Sequence, residues 1–340
     1  MNRNVILFLL CTALLFACFG CNLPRNQRFE RIYYDVFDTV TKLSGYAESE
    51  SAFGEQADKV YAQLHAYHVL FDIYHDAPSG TNLKAINDAA GGDPIAVDPQ
   101  IIDLLLFAKE VDEQTNHRVN VTLGAVTKLW HDAREAALAD PEHAVLPDAQ
   151  LLREAARHTG FDKLELDESA GTVRLTDPLA RLDVGAIAKG YVAQKVSEQL
   201  PNGYLLSLGG NVVAKGTKPD GSAWTIGIQD PDEPSALLHT IRAENLAIVT
   251  SGDYQRVFTI NGIPYHHIID PDTLMPAMRW RAVTVLCEDS AIADMLSTAL
   301  FLMDYETGSS LARRYGADAL WIAPGGTEYR TDGFGAYQKN

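Results

Sequence analysis

Two hydrophobic periods divide this chain into a helical first part and a strand-rich second part. Apolar residues recur every three or four positions over residues 55–74 and 99–114, which predicts two amphipathic helices. Asp98, directly before Pro99, predicts the N-cap of the second helix. A third helical stretch covers residues 146–160.

From about Lys163 onward, the pattern changes to short stretches in which apolar and polar residues alternate, as in half-buried strands. The predicted strands cover residues 163–167, 172–177, 179–185, 203–216, 223–230, 247–260 and 282–289. Further helices are predicted over 189–199 and 291–303, and one or two strands over 31–46. Helices before a strand-rich body predict a mixed α+β fold.

The first twenty residues are typical of an export signal. A positive charge precedes an apolar run over residues 5–19, which is too short to span a membrane comfortably. Small residues precede both Cys18 and Cys21, which predicts a lipoprotein signal peptide over 1–20 and a tether over 21–28. An ordinary cleaved signal peptide is the alternative. We therefore expect an exported protein, anchored through a lipidated cysteine to the membrane and facing the periplasm.

Composition narrows the functions open to the remaining chain. The 340 residues carry a net charge of −17 without any cluster of Lys and Arg, which argues against nucleic-acid binding. A phosphate ester bound to so acidic a protein would need recruited cations. Outside the export segment only Cys287 remains, which excludes an internal disulfide framework and a thiolate metal cage. With 46% apolar residues the chain can bury a large core, and we expect residues 29–335 to fold as one large domain or as two closely joined lobes.

The stretch from Arg181 to Tyr191, RLDVGAIAKGY, is a candidate anion site. A helix that begins close to Gly185 would expose backbone N–H groups without internal partners, and small residues there let a phosphate approach. Lys189, one turn later, could pair with a phosphate oxygen. Asp183 could bind a ligand hydroxyl or ring N–H, or could serve only as the helix N-cap.

A candidate metal site lies near the end of the chain. Asp294 and Thr298 are four residues apart, so a helix places both oxygens on one face. A carboxylate and a hydroxyl suit Mg²⁺, which completes its shell with phosphate and water. The alternative is a solvated aspartate beside a threonine that bonds back to its own helix.

Several motifs, in this order and spacing, resemble those of the ApbE family, the FAD:protein FMN transferases. The stretches that carry the resemblance are LDVGAIAKGY, LSLGGNVVAKGTKPDGSAWTIGIQDP, IVTSGDYQRVF, HHIIDPDTLMP and IADMLSTALF, together with FDIYHDAPSGTNLKAIN and HRVNVTLGAVTKLW. The resemblance covers roughly residues 30–335. It implies two closely joined lobes of helices and antiparallel-rich sheet, with FAD in the cleft between them. It also implies Mg²⁺-dependent transfer of FMN to a threonine or serine of an exported or membrane redox protein, with release of AMP.

The resemblance also implies roles for individual residues. FAD contacts fall on Phe37, Thr39, Tyr74, Arg118, Val119, Asn120, Asp183, Lys189 and Ile269. Metal contacts fall on the backbone carbonyl of Ala186 and on the side chains of Asp294 and Thr298. A base must also take the proton of the attacking hydroxyl. His267 is the first candidate because its ordinary pKa lies near neutrality, and Asp253 and Asp270 are rivals. His267 could equally be a structural histidine.

The chain departs from the family pattern at four positions. Phe37 and Asp38 replace the Met-Gly of an early Met-Gly-Thr, Asn120 replaces an acid, and Leu274 replaces a turn glycine. We expect FAD and Mg²⁺ binding to survive these changes. Two alternatives to transfer remain: hydrolysis of FAD to FMN and AMP, and a non-catalytic flavin-binding lipoprotein.

Overall fold

A computed structural model of the protein describes residues 26–233 and 235–339. Its helices are α1 (Glu50–Phe71), α2 (Leu83–Asp88), α3 (Pro99–Gln114), α4 (Gly124–Ala139), α5 (Ala149–Ala156), α6 (Ala188–Ser197), α7 (Ser290–Phe301) and α8 (Tyr305–Arg314). Short 3₁₀ turns cover Pro141–His143, Phe161–Lys163 and Phe334–Tyr337.

The strands in chain order are β1 (Gln27–Val36), β2 (Thr39–Ala47), β3 (Ile95–Ala96), β4 (Leu164–Asp167), β5 (Thr172–Leu175), β6 (Tyr204–Leu208), β7 (Asn211–Lys215), β8 (Trp224–Gln229), β9 (Leu237–Ala243), β10 (Leu246–Gly252), β11 (Phe258–Ile260), β12 (Ile263–Tyr265), β13 (Ala282–Cys287), β14 (Asp318–Ile322) and β15 (Glu328–Arg330). Eight of them form one sheet in the order β1-β2-β6-β7-β10-β13-β14-β15. Every neighbouring pair in this sheet is antiparallel. The prediction of a mixed α+β fold is therefore confirmed.

The large sheet separates two hydrophobic cores. On one face, α1, α6, α7 and α8 pack against the strands, and residues such as Leu43 and Val283 meet helical residues such as Leu64 and Phe301. On the other face, the β8–β9 hairpin covers the sheet, and Trp224 is buried in that core. A third core joins α4 and α5 to the β11–β12 hairpin. This smaller unit stands beside the sheet, and the cavity described below has walls from both.

The predicted helices form, with shifted ends. Asp98 caps α3 as predicted, because its carboxylate accepts the N–H of Gln100 at 2.8 Å. Helix α1 starts five residues before the predicted position, because Ser49 caps it by accepting the N–H of Ala52. The predicted helix over 146–160 is shortened to α5, which begins after its cap Asp148.

One predicted strand is wrong. Residues 179–185 make a single bridge, between Arg181 and Leu123, and are otherwise irregular. Most of the apolar residues of this segment are buried, but the segment does not pair with a neighbouring strand. The predicted signal peptide with Cys18, and residues 21–25 of the tether with Cys21, lie outside the described residues, whereas Gln27 and Arg28 belong to β1. No helix within the described chain has the length and apolar character needed to cross a membrane.

Candidate active site

A cavity of about 520 Å³ opens between the large sheet body and the smaller unit. Most of the residues singled out in the sequence line it, although they come from distant parts of the chain. The predicted FAD contacts in its walls are Thr39, Tyr74, Arg118, Val119, Asn120, Asp183, Lys189 and Ile269. The predicted metal contacts Ala186, Asp294 and Thr298 also line it, and so does the candidate base His267.

Three predicted site residues lie elsewhere. Phe37 lines a smaller neighbouring cavity of about 90 Å³. Asp253 accepts a hydrogen bond from Nε of Arg281 at 2.7 Å and is not in the cavity wall. Asp270 is not a lining residue either: its Oδ1 accepts the N–H of Asp272 at 2.8 Å and lies 3.5 Å from Nη1 of Arg118, which does line the cavity. Neither aspartate lines the cavity, whereas His267 does.

Asp183 fastens the loop before α6 to α4. Its Oδ1 accepts the N–H of Gly185 at 2.9 Å, and its Oδ2 accepts the hydroxyl hydrogen of Thr127 at 2.7 Å. Helix α6 begins three residues after Gly185, with Ile187 at its N-cap position and no side-chain cap. The interpretation of Asp183 as the helix N-cap is therefore wrong. Its carboxylate instead closes a tight loop within the cavity wall.

The amides at the start of α6 are already bonded inside the protein. The carbonyl of Val184 accepts the N–H groups of Ile187 and Ala188 at 3.0 and 2.9 Å. The N–H of Gly190 donates to Oδ2 of Asp294 at 2.7 Å. The prediction that these donors stay open for a phosphate is wrong for the three amides named here. Positive charge for an anion must come from side chains and from any bound cation.

Asp294 and Thr298 lie on one face of α7, as the spacing predicts, and face the cavity together with Ala186. Asp294 is 5% exposed, and its burial raises the pKa of the carboxyl, while the Lys189 ammonium and the Gly190 N–H oppose that shift. Within residues 26–233 and 235–339, no three His, Cys, Asp or Glu side chains converge on a metal site. The donor set is one carboxylate, one hydroxyl and a carbonyl. These oxygens fit Mg²⁺, which takes few protein ligands.

The two adjacent histidines have opposite environments. His266 is buried, and its Nε2 donates to the carbonyl of Ala277 at 2.6 Å while its Nδ1 accepts the N–H of Ile268. Nδ1 of His267 lies 3.1 Å from the carbonyl of Gln255. Because a carbonyl only accepts, Nδ1 carries the hydrogen and Nε2 is left with a free lone pair.

His267 is exposed to solvent where it lines the cavity, although the cavity walls enclose its ring enough to desolvate it. This enclosure, together with the positive charges of Arg256 and Lys189, lowers the pKa of His267 well below its usual range. The imidazole is therefore neutral at neutral pH. A neutral ring with a free Nε2 inside a cavity can accept a proton.

The cavity gathers positive charge that the sequence does not display as a cluster. Four cationic side chains line it, namely Arg118, Arg134, Lys189 and Arg256. The acidic residues in the lining are three: Asp38, Asp183 and Asp294. The wall thus carries a small positive excess in a protein of net charge −17. The sequence motifs include Arg118, Lys189 and Arg256, but no role was predicted for Arg256, and Arg134 lies outside the motifs.

Tyr74, a predicted FAD contact, belongs to an aromatic wall whose other rings, His131 and Trp130, were not predicted as site residues. The rings of Tyr74 and His131 stack with centroids 4.8 Å apart and an interplanar angle of 27°. Burial raises the pKa of Tyr74 to about 12, so its hydroxyl stays protonated. Trp130 lines the same wall and donates from Nε1 to the carbonyl of Leu274 at 2.9 Å. Flat rings at this place can stack on a flat heterocycle.

The residues that depart from the family pattern still form turns. Phe37 and Asp38 adopt φ angles of 56° and 48°, and Leu274 one of 60°, all in the left-handed region that glycine favours. The N–H of Phe37 donates to Nδ1 of His68 on α1 at 3.2 Å, which holds the β1–β2 turn in place. Asn120 accepts the N–H of Thr122 at 2.8 Å, a contact open to amide and carboxylate oxygens alike.

Comparison with known proteins places this cavity in context. A family model described as the ApbE family matches residues 37–321. A protein of Treponema pallidum (strain Nichols) named FAD:protein FMN transferase is 32% identical over 312 residues, which cover 85% of this chain and 83% of that protein. A Klebsiella pneumoniae (strain 342) protein of the same name is 32% identical over 273 residues, which cover 78% of this chain and 81% of that protein.

Solved structures match over nearly the whole chain. The ApbE protein from Thermotoga maritima superposes with a TM-score of 0.82 at 27% identity, covering 92% of this chain and 100% of that one. The flavin transferase ApbE from Vibrio cholerae superposes with a TM-score of 0.75 at 26% identity, covering 92% and 99%. The two matches include the sheet body and the smaller unit together.

Proposed function

The chain belongs to the ApbE family, and from this membership we infer that it is an enzyme that transfers the FMN part of FAD to a protein. The FAD:protein FMN transferases it resembles match it over most of their own length as well as its own. The observation that carries the inference is the cavity. It brings together phosphate-binding cations, a stacking wall and a neutral histidine.

We propose that the acceptor is a threonine or serine hydroxyl of an exported or membrane redox protein. The acceptor oxygen forms a bond to the FMN phosphorus while the bond from that phosphorus to the bridging oxygen breaks. The hydroxyl proton goes to Nε2 of His267, and AMP leaves with the bridging oxygen. Phosphoryl-type transfer asks mainly for positioning and charge neutralisation, which this cavity can supply.

We further propose that FAD binds together with Mg²⁺ held by Asp294, Thr298 and the carbonyl of Ala186. When bound, the ion would neutralise part of the diphosphate charge. Lys189 pairs with a phosphate oxygen, and Tyr74 lies along a ring of the nucleotide. Arg118, Val119 and Asn120 form one wall beside it, with Thr39 and Ile269 on others.

Hydrolysis of FAD is the second candidate, and one observation favours it. Nε2 of His267 is open to cavity water, so a water molecule could be deprotonated where an acceptor hydroxyl is absent. The non-catalytic alternative rested on the altered turn residues. Since Asp38, Asn120 and Leu274 all keep defined turns at the site, that ground is removed.

One assay separates these reactions. The purified protein is incubated with FAD and Mg²⁺, with and without an acceptor protein that carries an accessible threonine in a family-type motif. Flavin fluorescence that stays with the acceptor after denaturation supports transfer. Free FMN and AMP without labelled acceptor support hydrolysis. Unchanged FAD in both samples would contradict an enzymatic role.

We propose that the protein is exported and held at the membrane by a lipid on Cys21 or Cys18. The support is the charged start, the apolar run and the small residues before each cysteine. Cys21→Ser and Cys18→Ser are compared for palmitate labelling and membrane association. Loss of label in one variant identifies the modified cysteine, and retention of label in both would contradict the anchor.

A further inference from the structure

The four cationic side chains that line the cavity differ in the ion pairs and hydrogen bonds they already make. Arg118 and Arg134 are in ion pairs with acidic neighbours, with N–O distances of 2.6 and 2.7 Å. Nζ of Lys189 lies 3.5 Å from a backbone carbonyl. Across the described part of the chain, the guanidinium of Arg256 has neither an ion pair nor a hydrogen bond. Its five N–H donors are uncommitted.

Arg256 stands where two cavities meet. It lines both the 520 Å³ cavity and the neighbouring 90 Å³ cavity, as do Tyr74 and Lys189. Its backbone φ is 45°, in the left-handed region that an arginine seldom adopts. The loop between β10 and β11 therefore holds this residue in a conformation its own preference does not favour. Such positions are concentrated at ligand sites.

Arg256 is also close to both ends of the proposed reaction. Its positive charge helps to lower the pKa of His267 and opposes the rise in the pKa of Tyr74. His267 is the proposed base, and Tyr74 is the proposed neighbour of the nucleotide. A cation that acts on both lines the part of the cavity where the transferred phosphate is expected.

We propose that Arg256 is a catalytic residue whose guanidinium binds the non-bridging oxygens of the flavin-side phosphate during transfer. This rests on the proposed function. As the acceptor oxygen bonds to that phosphorus and AMP departs, negative charge develops on the phosphoryl and leaving oxygens. A planar guanidinium pairs with two such oxygens at once, which a lysine ammonium does not do. The proton still goes to Nε2 of His267.

The test compares Arg256→Gln, Arg256→Lys and a matched control, Arg242→Gln. Arg242 is exposed on β9 and lies in neither cavity wall, so the control removes the same charge elsewhere. Two quantities are measured: the single-turnover rate of flavin transfer to an acceptor protein, and the Kd of FAD with Mg²⁺ without acceptor. We expect Arg256→Gln to lower the rate about 100-fold or more. We expect FAD affinity to fall roughly two- to tenfold, since the contact strengthens in the transition state.

Chemical rescue gives a readout that misfolding would not give. Millimolar guanidinium should restore part of the rate of Arg256→Ala and leave Arg242→Ala unchanged, while Arg256→Lys keeps an intermediate rate. A single-turnover rate for Arg256→Gln within threefold of wild type, or an equal fall in Arg242→Gln, overturns the assignment. If the wild type itself transfers no flavin, the proposed function fails. The phosphate contact is then judged on binding alone, and an unchanged FAD Kd in Arg256→Gln overturns it.

Discussion

The backbone N–H of Gly190 on α6 donates to the buried carboxylate of Asp294 on α7. The two helices cross so closely here that a Cβ on Gly190 would overlap the Cβ of Asp294 and the carbonyl oxygen of Ser290. The carboxylate therefore has a fixed position at the cavity wall. This contact joins the candidate phosphate loop to the candidate metal helix.

Substitution of Gly190 by alanine should force α6 and α7 apart. We expect a loss of about 1–3 kcal/mol in the free energy of unfolding, measured by urea denaturation, because close-packed helices tolerate extra atoms poorly. Gly54→Ala on α1 is the control. Its new Cβ would meet only Nη2 of Arg31, at 3.5 Å, so helix propensity should stabilise the fold by about 0.5–1 kcal/mol. Equal effects of the two changes would contradict the close crossing.

Asp294→Asn should separate the metal role of this residue from its structural role. The amide oxygen can still accept the N–H of Gly190, so we expect the fold to keep its thermal stability. Loss of the charge should weaken Mg²⁺ binding by about 100-fold or more, beyond the 10–100-fold typical of supporting residues. Flavin fluorescence titrated with Mg²⁺ measures this directly. A variant with the wild-type Mg²⁺ dependence removes Asp294 from the metal site.

Replacement by glutamine should lower the transfer rate at one of the two adjacent histidines and the stability of the fold at the other. His267→Gln should lower the transfer rate about 10²–10⁴-fold, with little change in stability, because the ring reaches solvent and serves as the base. His266→Gln should cost about 1–3 kcal/mol of stability, because the buried ring bonds two backbone groups. Rates and urea midpoints are measured for both. The base assignment fails if His267→Gln turns over normally.

The pH dependence of kcat/KM follows from the lowered pKa of His267. A base works when it is unprotonated, so the lowered pKa keeps His267 active at more acidic pH than an ordinary histidine, whose pKa is about 6.5. The groups that act on the ring are Arg256, Lys189, His266 and the carbonyl of Gln255. We expect no decline assignable to this base down to about pH 5.5. Arg256→Gln should move the acid limb to higher pH, and an acid limb near 6.5 in the wild type would contradict the structure.

Local pattern predicted helices α1, α3, α5, α6 and α7 and part of the site, but it missed α2, α4 and α8. The cap at Asp98 and the shared face of Asp294 and Thr298 depend on neighbours within one or two helical turns, which the sequence displays. The family motifs brought in Lys189 and Tyr74 in the same way. The prediction of a strand over 179–185 was wrong because an apolar run does not show whether a partner strand is available.

Only the tertiary structure decided which groups are free to act. The amide of Gly190 is taken by a carboxylate 104 positions away, so a helix start that looks open in the sequence is closed in the fold. Arg256 and His267 both line the cavity because the β11–β12 hairpin between them returns the chain to it. Residue types and spacing determine which chemistry is possible. Long-range packing determines which donors stay unpaired, because each buried polar group bonds whatever partner the fold brings near.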